Sequence, residues 1–246
     1  MLLSVFSPLW FILFAADAVL VVVFTCLLKG LDLKGKTKVL LALAVFNLLY
    51  WVFYKFMLSK DPTFDFQLPL ELPFHLCNLN SMLMIVALLT KKPGLLNFCY
   101  CFGIFGAFLA LLSPDPAFVN IGLFSSVKGY GYWLYHHILI VQSILLVSTG
   151  FYRPGYREVP KSYGILLVLY FGMFLINLTL RKLTGIPVNY LYTFGMPGNP
   201  ALEMLYKIIP VYPLYLVPAL LPMVPLCFGL VALGRLSKGC KDTIHS

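Results

Sequence analysis

The chain has 246 residues, of which 61% are hydrophobic and 11% are charged, and its formal net charge is +9 at pH 7. A soluble globular domain has roughly 45–50% apolar and about 25% charged residues, so this composition excludes a water-soluble fold. Nucleic-acid binding needs a basic soluble face, whereas the lysines here lie in short segments between apolar runs. We therefore expect membrane lipids, and no nucleic acid, as partners.

Seven apolar runs follow one another along the chain, and a run of about 20 apolar residues crosses the hydrocarbon core of a bilayer. The sequence therefore predicts an all-α, polytopic membrane protein with a single transmembrane helical domain, residues 1–246, built as a bundle of about seven helices. The predicted spans are 8–28, 39–58, 73–90, 95–113, 131–151, 163–180 and 210–233.

The last run carries five prolines, and each interior proline removes a backbone hydrogen bond and clashes with the preceding turn. The sequence therefore predicts that the last span is kinked or partly non-helical. The prolines are Pro210, Pro213, Pro218, Pro222 and Pro225.

The N-terminal segment MLLSVFSPLW lacks the basic region of a signal peptide, and the apolar run after it is long enough to remain as a span, so we expect the chain to be retained whole. Most of the six cysteines lie inside apolar segments, unlike the regular loop spacing of a secreted disulfide framework. We expect most of them to be small core residues. They are Cys26, Cys77, Cys99, Cys101, Cys227 and Cys240.

Charge predicts the orientation in the membrane. Twelve of the eighteen Lys and Arg residues lie in the first, third and fifth loops and in the C-terminal tail. Because loops rich in Lys and Arg stay in the cytoplasm, the N-terminus is predicted outside and the C-terminus in the cytoplasm. The same alternation favours an odd number of spans.

Polar residues gather at the predicted outer ends of the helices, where they indicate a site that opens to the outer leaflet. Ionisable residues within spans are costly and usually face the bundle interior or a water-filled cavity. The gathered residues are His75, Cys77, Asn78, Asn80, Asp115, His136, His137, Asn189, Tyr190, Asn199, Glu203, Tyr212 and Tyr215.

Three of these residues are candidates for catalysis: His137, Cys77 and His75. His136 and His137 are adjacent, hence about 100° apart on a helix, so we expect them to face different neighbours and only one to be catalytic. His75 and Cys77 are two residues apart and point to different sides of a regular helix. Two roles of Cys77 remain open: its thiol is activated as a nucleophile by a histidine of the fifth span, or it is a core residue.

Two further polar groups have alternative interpretations. Zinc prefers three or four N, O or S ligands, and His75, His137 and Asp115 can in principle supply three, although no HxxxH, HExxH or CxxC spacing is present. Asp17 lies near the middle of the first span. We expect it to pair with Lys55 or Asn47, or to join a polar cavity.

Five segments in order carry a resemblance to known families: LPFHLCNLN, LLSPD, YHHILIV, NYLYTFGMP and PVYPLY. Together they resemble the bacterial YwaF-type integral membrane proteins over roughly residues 70 to 220. More remotely, the chain is similar to the eukaryotic transmembrane protein 164 family, which is associated with acyl transfer onto ether phospholipids through a Cys and a His. His137 matches the histidine of that family, whereas Phe74 stands where its cysteine precedes His-Leu.

The resemblance implies a lipid acyltransferase or acyl hydrolase with a Cys/His site near the outer leaflet, in the plasma membrane of a bacterium and without a cofactor. Two alternatives remain open: a transporter or lipid-binding protein without covalent chemistry, and an intramembrane zinc hydrolase. The expected substrate-binding residues are Asn78, Asn80, Asp115, His136, Asn189, Tyr190 and Tyr212.

Overall fold

A computed structural model describes residues 2–114, 118, 121–195 and 200–236. The described chain is almost entirely helical, and its two strands, β1 (Leu2–Leu3) and β2 (Ile121–Gly122), form one short antiparallel pair. The α-helices are α1 (Pro8–Leu28), α2 (Leu33–Leu58), α3 (Leu76–Thr90), α4 (Pro93–Leu112), α5 (Tyr135–Ser148), α6 (Val159–Thr184), α7 (Pro200–Ile208), α8 (Val217–Leu220) and α9 (Met223–Leu236).

Within the described residues, six helical segments are long and apolar enough to cross a membrane, which confirms the predicted fold class. The seventh predicted span is the shorter helix α3, whose 15 residues extend only about 22 Å at 1.5 Å per residue. The six segments are Pro8–Leu28, Leu33–Leu58, Pro93–Leu112, Gly129–Ser148, Tyr156–Thr184 and Leu214–Leu236.

Local signals in the sequence set the helix boundaries. The Ser7 side chain accepts a hydrogen bond from the Trp10 N–H and so caps the start of α1. The Asp32 carboxylate caps α2 through the Gly35 N–H at 2.8 Å. Helix α6 ends at Gly185, whose φ of +72° lies in the left-handed region that favours glycine.

Helices α4 and α5 form the centre of the bundle, because they bury most of their residues. Helix α1 is largely exposed, and its outward side chains are apolar, with Val22 exposed by 62% and Leu27 by 69%. In a membrane protein such a surface faces lipid. Helix α5 packs against α1, α2 and α4, so its polar side chains meet residues from three other helices.

One end of the bundle, called the first end, contains the N-terminal strand and the loops at residues 59–75, 121–128 and 185–195. Strand β1 pairs with β2, and the Trp10 indole N–H donates to the Leu111 carbonyl at 3.2 Å. The Tyr190 hydroxyl donates to the Pro69 carbonyl at 2.6 Å. These contacts fix the loops that surround the start of α3.

The opposite end of the bundle, called the second end, contains the remaining turns between the helices. The Thr25 and Ser148 hydroxyls lie 2.8 Å apart, and the Arg235 guanidinium donates to the Pro154 carbonyl at 3.4 Å. The N-terminal strand and Arg235 therefore lie at opposite ends of the bundle, so the chain passes between the ends an odd number of times.

The last span is broken, as its prolines predict. It consists of a 3₁₀ turn at Leu214–Leu216, then α8, then α9, and the break falls at residues 221–222. The short helix α7, in contrast, was not predicted. Its 9 residues, which include Glu203 and Lys207, lie between the predicted spans 163–180 and 210–233 and are too few to span a membrane.

We predict opposite effects of alanine at two glycines. A Cβ at Gly131 would lie 1.8 Å from Cδ2 of the buried Tyr54 ring, whereas a Cβ at Gly164 has no atom within 4 Å. Gly131→Ala should therefore lower the free energy of unfolding by about 1–3 kcal/mol through overpacking. Gly164→Ala should raise it by up to about 1 kcal/mol. Unfolding measurements in detergent micelles check both, and equal effects would contradict the packing argument.

Candidate functional site

The candidate site is built around the start of α5, which continues from a π-helical turn at Gly129–Leu134. Gly131 of this turn has no side chain, and the Tyr54 ring of α2 occupies the place of its Cβ. This close approach holds the turn against α2. It thereby fixes the direction in which the two histidines that follow, His136 and His137, enter the bundle.

His137 is bound to Asp17 of α1. Its Nδ1 lies 2.5 Å from Asp17 Oδ2, and both side chains are buried, with exposed fractions of 5% and 9%. The ring of Phe14 meets the imidazole edge to face at a centroid distance of 4.9 Å. The expected partners of Asp17 were wrong: Lys55 forms an ion pair with Glu71, and Asn47 is hydrogen-bonded elsewhere.

The second nitrogen of His137 is available for chemistry. Its Nε2 is buried and has no hydrogen-bond partner in the part of the chain that the structure describes. A carboxylate at Nδ1 accepts the Nδ1–H, fixes that tautomer and leaves the Nε2 lone pair free, which is the arrangement of a general base in serine proteases. The Asp17–His137 pair therefore has the form of an acid-base dyad.

His136 faces a different neighbour, as the helical geometry predicts. Its Nδ1 lies 2.7 Å from the Tyr132 carbonyl, to which it donates, and its ring packs on Tyr132 at 4.4 Å. His136 also interacts electrostatically with His75 and Lys55. It therefore lies on the side of α5 that looks toward the first end and the start of α3.

His75 is the N-cap residue of α3 and has an extended backbone, so it stands just outside the helix. Its ring lies 5.1 Å from the ring of Tyr190 in an edge-to-face contact. The neighbouring Lys55–Glu71 pair interacts with His75 through the Lys55 charge. His75 thus lies at the first end, beside the Tyr190 ring and near the Lys55–Glu71 pair.

Cys77 lies in the first turn of α3 and is half-buried. It packs against the apolar cluster that contains Trp10, as does Phe14, whose ring contacts His137. The Tyr135 hydroxyl lies 3.1 Å from the Cys77 carbonyl. Among the described residues no hydrogen bond joins the Cys77 thiol to an imidazole. Cys77 and Phe14, the ring neighbour of His137, therefore pack against the same apolar cluster.

The two asparagines of α3 are buried. The Asn80 side chain is fully buried and has no hydrogen-bond partner among the described residues. The next residue, Ser81, connects three helices, because its hydroxyl lies 2.8 Å from the Tyr135 hydroxyl and 3.4 Å from the Asn47 amide nitrogen. The interior between α2, α3 and α5 is therefore polar.

Asn189 and Tyr190 organise the loop after α6. The side-chain oxygen Oδ1 of Asn189 accepts a hydrogen bond from the Phe194 N–H at 2.9 Å, and its side-chain Nδ2 donates to the Gly195 carbonyl. The Tyr190 hydroxyl accepts from the Leu72 N–H at 2.9 Å while it donates to Pro69. Burial raises the pKa of Tyr190 to about 12, so its phenol stays protonated at neutral pH.

Tyr212 is partly exposed and stacks on Tyr206 at a centroid distance of 4.6 Å. It belongs to an aromatic cluster with Phe194 and Tyr215. Tyr212 and Asn189 thus lie on the same side of the first end as Tyr190. That these residues bind substrate stays a prediction.

Asp115 and Asn199, two of the residues predicted to gather at the outer ends of the helices, lie outside the described residues. Within the described ranges no three His, Cys, Asp or Glu side chains are arranged to hold a metal ion. The two histidines of the predicted zinc set, His75 and His137, have the different partners given above. The third member of that set was Asp115.

Sequence analysis missed Asp17 as the partner of His137. A signal for it was present, since both residues lie well inside apolar runs, where an ionisable side chain needs a partner. What the sequence does not contain is the order of the helices in space. The two residues are 120 positions apart, and the contact depends on α1 packing against α5.

We expect the Asp17–His137 pair to show strong energetic coupling. Asp17→Ala or His137→Ala leaves one polar partner buried without the other, and such a loss costs about 3–5 kcal/mol. The double variant should lose clearly less than the sum of the two single variants. The Thr25–Ser148 hydrogen bond joins the same two helices, and Thr25→Ala is the control, with an expected loss of about 1 kcal/mol. Additive losses in detergent unfolding experiments would disprove the coupling.

The sequence pattern of the TMEM164 family matches residues 3–231. No curated protein and no solved structure matches the chain. The similarity to YwaF-type bacterial proteins is not tested by this match and stays a prediction. The match covers almost the whole chain, including every helix of the site, and agrees with the multi-pass helical architecture. The chain therefore belongs to the TMEM164 family.

Proposed function

We propose that this integral membrane protein transfers an acyl group from a membrane lipid ester to a second lipid or to water, with His137 as the general base. The observation that carries the proposal is the buried Asp17–His137 pair, whose Nε2 is unpartnered among the described residues. The acyl transfer associated with the family resemblance supplies the reaction class. Histidine is the most frequent acid-base group in such reactions.

The proposed nucleophile is the thiol of Cys77, which packs against the same apolar cluster as Phe14, the ring neighbour of His137. His137 Nε2 takes the thiol proton, the thiolate bonds to the carbonyl carbon of the donor ester, and the ester C–O bond breaks. The proton on His137 passes to the departing lysolipid. The hydroxyl group of an acceptor lipid, or water, then attacks the thioester carbonyl carbon and gives its proton to His137. The C–S bond breaks, and the proton on His137 passes to the departing Cys77 thiolate.

The start of α3 supplies groups that would stabilise the oxyanion of each step. The first turn of a helix has N–H groups without intrahelical partners, and such donors favour a developing negative charge. Asn78 and Asn80 lie in this region and are buried. His75 and His136 would complete the polar wall of the site on the side of the first end.

We further propose that the first end faces outward and the second end faces the cytoplasm, in the plasma membrane of a bacterium. The loops of the second end carry most of the basic residues, and such loops remain in the cytoplasm. The dyad would then react with lipids of the outer leaflet.

Transport without covalent chemistry is the second candidate, and a specific observation favours it. Buried polar side chains of α3 and α5, Asn80, Gln142 and Ser143, have no hydrogen-bond partner within the described residues. Transporters place polar groups in the middle of the membrane beside broken helices, and the last span here is broken. A carrier would move its solute without a nucleophile.

We expect Cys77→Ala and His137→Ala each to abolish acyl transfer in proteoliposomes, because each removes a group that the reaction requires. Asp17→Asn should lower the rate by about 10²–10⁴, since the imidazole loses the carboxylate that orients it. The measurement is transfer of a labelled acyl group between lipids, with folding checked by gel filtration. A lipid-like electrophile should label Cys77, and Cys26→Ala should retain activity.

Two outcomes would separate the candidates. Full acyl transfer by the folded Cys77→Ala protein would disprove the proposed role of the thiol as the nucleophile. Solute flux in proteoliposomes that survives both Cys77→Ala and His137→Ala would favour the carrier.

The orientation is tested by labelling single cysteines from outside intact cells. Lys60 lies at the first end and Arg157 at the second, and both are exposed. A membrane-impermeant maleimide should label Lys60→Cys in intact cells and Arg157→Cys only after the cells are opened. The reverse pattern would invert the proposed orientation.

A further inference from the structure

An apolar groove lies between α4 and α9 on the membrane-facing side of the bundle. Its volume is about 360 Å³, and apolar side chains and one glycine line it. Ile104 and Phe108 of α4 form one wall, and Leu226, Gly229 and Leu233 belong to the other. Both helices lie in segments that are long and apolar enough to span a membrane. The groove would therefore be bathed in lipid chains, not in water.

Gly229 keeps the groove open. A Cβ built at this position has no atom within 4 Å, so a larger side chain would extend into free space without a clash. The walls are held in place nearby, because the Tyr100 hydroxyl of α4 donates to the Leu230 carbonyl of α9 at 3.0 Å. The groove is thus a space of fixed width between two tied helices.

One wall of the groove leads to the acid-base dyad. The Phe108 ring lies 5.8 Å from the ring of Phe14 in an edge-to-face contact. Phe14 in turn makes the edge-to-face contact with His137. Leu233 lies at the other end of the groove, toward the second end of the bundle. A chain along the groove would therefore have one end beside Phe108 and Phe14, next to the site of the proposed reaction.

We propose that this groove binds the fatty acyl chain of the donor lipid and that Gly229 determines the length of chain that fits. The inference rests on the proposed acyl transfer and adds the position of the acyl chain to it. The ring contacts that run from Phe108 through Phe14 to His137 favour a lipid chain as the occupant of the groove. A second copy of the protein in the groove would have no relation to the Asp17–His137 pair. The apolar lining matches a methylene chain.

The test uses a phosphatidylcholine that carries a photoreactive diazirine at the end of a 16-carbon acyl chain, as an experimental probe in nanodiscs. Illumination should crosslink the probe to α4 and α9 at the groove, which peptide mass spectrometry would locate. Gly229→Phe should lower this crosslinking severalfold, since the phenyl ring would occupy the free space beside Gly229 that the chain is proposed to fill. Gly164→Phe is the matched control, because Gly164 is also exposed in a spanning helix with free space around it.

The activity assay provides the second readout. In Gly229→Phe the preferred acyl donor should shift to shorter chains, while Gly164→Phe keeps the preference of the unmodified protein. Crosslinks spread evenly over all lipid-facing helices, or unchanged in Gly229→Phe, would overturn the inference. So would a change of oligomeric state in Gly229→Phe without any labelling of the groove, which would indicate a second copy as the occupant.

The two proposals can fail separately. One outcome is labelling of the groove that depends on Gly229 in a protein that transfers no acyl group. That outcome would support the binding of the acyl chain and disprove the proposed transfer reaction. Acyl transfer without labelling of the groove would support the proposed reaction and disprove the binding of the acyl chain in the groove.

Discussion

The contact on which the site depends is the one between a carboxyl group and an imidazole inside a bundle of apolar helices. Asp17 and His137 are both buried, and each would be costly in a hydrophobic interior without a partner. Their contact fixes the rotation of α1 and α5 about their axes, because only one face of each helix carries the polar group. It also determines which nitrogen of His137 remains available.

The rest of the bundle supports this contact by close packing. Helix α5 is central, and the absence of a side chain at Gly131 allows α2 to approach it through Tyr54. The loops at the first end are joined by hydrogen bonds such as Tyr190 to Pro69, which position the start of α3 above α5. A rigid arrangement of this kind keeps the imidazole of His137 in one orientation, and catalysis depends on such positioning.

The proposed chemistry departs from the pattern of the family resemblance at one position. Phe74 occupies the place of the cysteine before His-Leu, and Cys77 follows three residues later on the first turn of α3. The thiol of this chain thus stands at a helical position that packs against the cluster of Trp10. The substrate would reach this place laterally from the bilayer, past aromatic rings and along the groove of α4 and α9.

The sequence by itself determined the all-α membrane fold, the approximate bounds of the spans and the break in the last of them, because apolar runs and prolines act locally along the chain. It also identified the polar residues near one end of the bundle. Only the tertiary structure decided which of them are partners. Asp17 pairs with His137 and not with Lys55 or Asn47, because helix order and rotation depend on packing between segments distant in sequence.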